Sequence, residues 1–315
     1  MNKNLLRKIE LFFPAPPALM NQYKRRDVFR CTHETHLRFN SAVSVYHVLE
    51  EKKCFPQGCI CFKWRCKKLN KGEPCPRKYK HVGRTCSNCR YFYDIKLIKR
   101  PETLLPQKEF EQFQKDLKTF ESWLKSHQRK RVEFSGTVNS VKPRFSLRTA
   151  KNKSGLVFEG FLLNFREGTV NSKLFHDFIY VPISSRMQAR FCFGKGDSVV
   201  FSGFFCTRNG SVVLRKIRGT EILDRGDPCF WTASRARVAQ RTGSILRCQS
   251  EKCYACDKGI LLHAQSDDGP GDGVRRRMFC LEGIKDPEGC CYRLYKDLNR
   301  QKGPGGEALS CLSNG

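Results

Sequence analysis

Apolar residues along this chain change period, and each change marks an element. Between Pro106 and His127, Phe110, Phe113, Leu117, Phe120 and Leu124 recur every three or four residues with Glu and Lys between them. That spacing lines one face of a helix and predicts an amphipathic α-helix over 106–127. Pro106 suits a helix start, and the basic exit from His127 to Arg131 suits the negative end of its dipole. Upstream, the segment Leu37 to Glu51 carries helical content. A proline-rich break and the basic run Tyr23-Lys24-Arg25-Arg26 precede it.

From Val132 the period becomes two. Val132, Phe134 and Val138 fall on one face of a strand, with Glu133, Ser135, Thr137 and Asn139 on the other. Further strands are predicted over 156–165 and 178–183, the latter alternating Ile179, Val181 and Ile183 against Phe178 and Tyr180. A short helical piece follows at 184–191. Two more strands are joined at Arg208-Asn209-Gly210, where Asn-Gly tolerates the positive φ of a hairpin turn. Five strands, a helical piece between the third and fourth, and the Phe193-Gly194-Lys195-Gly196-Asp197 entry to the fourth resemble the oligonucleotide/oligosaccharide-binding (OB) barrel over about residues 130–225. Gly136 suits the bend such a barrel needs.

Cysteine spacing alters this picture at both ends. Eight of the 18 cysteines lie from Cys31 to Cys89 and seven from Cys248 to Cys311. A Cys-x2-Cys knuckle brings two sulfurs to one ion. At the C-terminal end Cys253 and Cys256 form a knuckle that pairs with Cys280 and Cys290 or Cys291, a zinc-ribbon-like set with a polar, Gly-rich insert over 265–277. Cys248, separated from Cys253 by four residues, completes the ligand spacing of plant-type two-iron ferredoxins, so an iron–sulfur cluster is the alternative to zinc. At the N-terminal end Cys86 and Cys89 form the knuckle, with Cys66 and Cys75 as nearest partners. Cys54, Cys59 and Cys61 are candidates for a second site with Cys31, His33 or His36. His33 and His36 are three apart, which is not the metalloprotease spacing, and polar residues opening a helix describe them better.

The formal net charge is +29, with +16 over residues 1–100, zero over 101–129, +10 over 130–225 and +3 over 226–315. Such an excess favours a polyanion, because each neutralised phosphate releases counterions. Lys142, Arg144, Phe145, Arg148, Lys151 and Lys153 are expected at the end of the first barrel strand and its loop. Phe178 and Tyr180 are expected opposite the core stripe, Arg208 at the hairpin, and Arg215, Lys216 and Arg218 beyond it. Basic grooves with aromatic platforms hold single strands.

The expected architecture is α+β and multi-domain: a basic Cys-rich metal module over 1–100, a linking helix over 101–129, an OB-like barrel over 130–225, and a zinc-ribbon-like module with a flexible tail over 226–315. No phosphate-cradling loop, nucleophile elbow or acidic two-metal pattern stands out, so non-enzymatic binding of single-stranded DNA or RNA is expected. An iron–sulfur redox or nucleic-acid enzyme, and a protein scaffold with structural zinc, are the alternatives. Prolines 14, 16 and 17 interrupt the early apolar stretch, and no run reaches the ~20 apolar residues of a membrane span. A reducing compartment such as the cytoplasm is therefore expected, where clustered cysteines are ligands.

Overall fold

The computed structural model describes residues 18–33, 36, 41–150, 153–247, 250–254, 256–266 and 275–290. Two compact units are present. One comprises Pro17–Gln128 and Thr207–Val212; the other holds Arg129–Cys206 and the described residues from Val213 on. Lys151, Cys248 and the side chain of Lys153 lie outside the described residues, as do 37–40, most of the 265–277 insert and Cys291.

In the N-terminal unit the strands are short: β1 (Leu19–Met20), β2 (Phe29–Arg30), β3 (Ala42–Val43) and β6 (Glu102–Thr103), with β3-β2-β6 forming one small sheet. Between them β4 (Cys59–Cys66) and β5 (Phe92–Lys99) pair antiparallel as a two-stranded ribbon. Helix α1 (Gln107–His127) buries Phe113, Leu117, Phe120 and Leu124, the stripe its periodicity predicts. Aromatic rings pack onto it: Tyr23 lies edge-on to Phe120 at 5.4 Å, and Phe29 to Phe113 at 6.4 Å. The expected helical segment ending at Glu51 is confined among the described residues to 45–51, because Ala42–Val43 pairs with Phe29–Arg30 instead. The hairpin tip also belongs to this unit. Asn21 donates to the Gly210 carbonyl at 2.9 Å and Lys24 to that of Asn209 at 3.1 Å.

The second unit is a closed barrel of β7 (Arg131–Ala150), β8 (Lys153–Val170), β9 (Lys173–Ile183), β10 (Ser198–Arg208) and β11 (Ser211–Asp224), in the order β7-β8-β9-β11-β10 and back to β7. Closing a ring with an odd number of strands forces one neighbouring pair to run parallel. The β7–β8, β8–β9 and β7–β10 pairs are antiparallel and β10–β11 is a hairpin, so β9–β11 is that pair. Phe134, Phe165 and Phe201, from three strands, meet inside with Phe134 4.8 Å from Phe165 and 4.9 Å from Phe201. Gly136 and Gly168 admit that cluster: a Cβ at Gly136 would stand 2.8 Å from the Phe134 ring, and one at Gly168 would overlap it.

Helix α2 (Ser185–Phe191) follows β9, its first turn capped by the Ser184 hydroxyl accepting from Met187 N–H. The Lys-Gly-Asp entry to β10 has a physical role. Asp197 is 1% exposed, accepts from the Gly194 and Gly226 N–H groups at 2.9 Å each, and meets Arg225 at 3.4 Å. Helix α3 (Ala233–Thr242), which the apolar pattern does not announce, packs Ala236 and Ala239 inward. Three further strands, β12 (Ser244–Ile245), β13 (Gly259–Ser266) and β14 (Arg275–Cys280), form a sheet in which β13 also pairs parallel with β7 over Ser146–Thr149.

Two expectations are corrected. The chain is mostly β rather than α+β, with a closed five-stranded barrel and few helices. Residues 142–150 are also strand, not loop. Register shifts at Ser135/Val138, Val138/Ser140 and Pro143/Phe145 let β7 bend and continue, and β13 supplies it with a second partner. Among the described residues no helix is long and apolar enough to cross a membrane.

Candidate nucleic-acid and metal sites

The barrel's expected binding residues separate into three groups. Phe145 is buried at 1% exposure, between Phe158 at 5.6 Å and Phe279 at 5.9 Å, so it is core and unavailable for stacking. Lys142 and Arg144 are engaged within the unit. The Lys142 ammonium donates to the carbonyls of Cys256 and Gly259 at 2.7 and 2.9 Å. Arg144 meets the Glu159 carboxylate at 3.5 Å and donates to its carbonyl at 3.0 Å. Arg148, Arg215, Lys216 and Arg218 are exposed. Lys216 has φ 50°, a break in strict alternation that leaves Arg215 and Lys216 both exposed. Arg208 is exposed too, but at the hairpin tip that belongs to the N-terminal unit.

The aromatic pair on β9 stands as expected. Phe178 is 40% exposed and Tyr180 half-buried, their rings 6.4 Å apart on the face opposite buried Ile179 and Val181. Burial, reinforced by Asp177, raises the Tyr180 phenol above its ordinary value, so it stays neutral. Exposed Arg166 lies at the β8 register shift, between Phe165 and Glu167, whose β9 partners are Ile179 and His176. Sequence reasoning missed it because the expected strand ends at Phe165, although alternation with buried Phe161, Leu163 and Phe165 turns Arg166 outward. It missed α3 as well, where Arg237 and Arg241, one turn apart, line an open depression of about 460 Å³ with Leu156 and Gln240. The three arginines without an acidic residue in 234–241 were the available signal.

The fifteen described cysteines are all free thiols. In the N-terminal unit they sort by strand face and loop. Cys66, Cys75, Cys86 and Cys89 line one small apolar cavity of about 10 Å³, beside His81, at the end of the ribbon. Backbone turns shape it: Cys89 N–H donates to the Cys86 carbonyl at 2.9 Å, the bond that folds a knuckle. Cys54, buried, has Cys59 and Cys31 as electrostatic neighbours; burial first, then those thiols, push its thiol up to about 12. Cys61 points to the other ribbon face from Cys66, and its thiol faces the Leu97 carbonyl at 3.6 Å. His36 Nε2 faces His47 Nε2 at 3.1 Å, and His47 Nδ1 meets Glu51 at 3.0 Å.

In the barrel unit Cys253 packs on buried Cys280 and Met278, and Lys258 N–H donates to Cys256 Sγ at 3.4 Å. Cys290 closes a turn on the Pro287 carbonyl. Among the described residues no three His, Cys, Asp or Glu side chains converge closely enough to hold one ion as they stand. The four-thiol cavity and the sulfur-directed N–H are the features that suit a soft ion. No protein-family model and no curated protein matches this chain.

Proposed function

We propose that this is a non-enzymatic, metal-stapled protein that binds single-stranded DNA or RNA on the outer face of its barrel. The observation that carries the reading is the Phe178–Tyr180 pair, held 6.4 Å apart on the outside of a barrel whose segment 130–225 carries a net +10. The strand order and the helix between third and fourth strands match the OB plan, which supports it. Bases would stack on the two rings, while Arg166, Arg148 and the Arg215, Lys216, Arg218 group would meet phosphates.

Zinc is the ion we assign. Cys66, Cys75, Cys86 and Cys89 would hold one, and Cys253, Cys256, Cys280 and Cys290 a second. Bound zinc would cross-link the loop-rich segments that carry these cysteines, with no reactive role. The chain's own residues prepare both sites, through the Cys86–Cys89 turn and the Lys258 N–H.

The test is anisotropy of labelled dT20 and U20 against salt. Affinity is expected to fall linearly on a log–log scale, with a slope of roughly −0.7 for each phosphate neutralised. Absence of binding at about 50 mM salt, or binding indifferent to salt, overturns the proposal.

A further inference from the structure

The β4–β5 ribbon carries more than cysteines. Pairing puts Ile60 opposite Ile98, Phe62 opposite Lys96 and Trp64 opposite Asp94, all on one face. On that face Ile60 is 56% exposed, Phe62 58%, Trp64 44% and Ile98 54%. The barrel strands bury one apolar face against their core; this apolar face of the ribbon stays exposed. A contiguous exposed apolar patch of this kind marks an interaction surface.

We infer that the β4–β5 ribbon is a second nucleic-acid surface, stacking bases of a single strand on Phe62 and Trp64. The inference rests on the nucleic-acid reading above and adds a separate contact in the N-terminal unit. Charge selects the occupant. From Cys59 to Lys99 there are 12 Lys and Arg against Glu73 and Asp94 alone. Protein-interface cores are depleted of lysine, whereas here Lys96, the cross-strand partner of Phe62, stands exposed on the same face as the rings. Aromatic rings interleaved with cations are what a single-stranded polyanion uses. The two rings are two residues apart, about 6.7 Å along the strand, which adjacent nucleotides of an extended strand can span. The platform is braced: Phe92 meets Trp64 edge-on at 6.3 Å, and the four-thiol cavity lies at the same end of the ribbon.

The test uses the full chain and labelled dT20 at about 50 mM salt. Because both side chains are largely exposed, the double variant Phe62→Ala/Trp64→Ala is expected to keep the wild-type circular dichroism. Its affinity is expected to fall at least about tenfold. Trp64 is the most exposed of the three tryptophans. Trp64→Phe is therefore expected to retain most affinity, since phenylalanine also stacks, while losing the fluorescence quenching that dT20 causes. A wild-type protein that binds no dT20 defeats the barrel reading and this one together. Wild-type binding with an unaffected double variant and undiminished quenching in Trp64→Phe overturns this inference alone. Self-association that the double variant abolishes, with dT20 affinity unchanged, likewise overturns it and makes the ribbon a subunit contact.

Discussion

Lys142 donates its ammonium to the carbonyl oxygens of Cys256 and Gly259, at 2.7 and 2.9 Å. A lysine expected from the sequence on a phosphate-facing loop thus lies in a strand and secures the cysteine knuckle. Replacing it by methionine is expected to cost about 1.5–3 kcal/mol, as for a hydrogen bond to a charged group. It should leave the salt slope of nucleic-acid binding unchanged. Urea denaturation and salt-dependent anisotropy measure the two halves of that statement.

Neutralising Arg215, Lys216 and Arg218 together is expected to do the reverse. All three are exposed, so folding should be unaffected, while the log–log salt slope should shrink by about 2. Arg144→Gln, at a side chain already tied to Glu159, should change that slope far less.

The thiol grouping predicts metal content. Cys66→Ser and Cys89→Ser are each expected to lower bound zinc by about one ion per chain, because a tetrahedral site needs four ligands. Cys61→Ser should not, since Cys61 lies on the opposite face of the ribbon. Elemental analysis of purified protein decides between these outcomes, and iron in place of zinc would move the sites to cluster chemistry.

Cys229 gives a pH dependence. Burial first, and then the neighbouring Cys192, raise its thiol above the ordinary value. The folded chain therefore holds that proton more tightly than the unfolded chain does. The resulting stability is fully present below the ordinary thiol value of about 8.5 and is lost as pH rises past it. The fall in melting temperature between about pH 8 and 10 should accordingly be smaller in Cys229→Ala than in wild type. Peptide mapping after iodoacetamide treatment at about pH 8 should label exposed Cys192 well before Cys229.

The barrel interior has no room at Gly168, where a Cβ would overlap the Phe134 ring. Gly168→Ala is expected to destabilise the protein by about 1–3 kcal/mol through overpacking. A thermal melt at the level of wild type would mean that the Phe134, Phe165 and Phe201 cluster is looser than its ring distances imply.

Local pattern was enough to determine several of the elements. The helical stripe from Phe113 to Leu124, the alternation of Ile179, Val181 and Ile183, and the Asn209-Gly210 turn all depend on residues a few positions apart. The cysteine spacings likewise named Cys66, Cys75, Cys86 and Cys89 as neighbours, because a knuckle is a local fold. What alternation cannot carry is which strand pairs with which. Only the tertiary structure closed β9 against β11, extended β7 by pairing it with β13, and so turned Lys142 toward a carbonyl and Phe145 into the core. It also left Phe62 and Trp64 uncovered. A strand's sequence presents two faces, and burial of one depends on a partner distant in the chain, so the same alternation reads as core in β9 and as surface in β4.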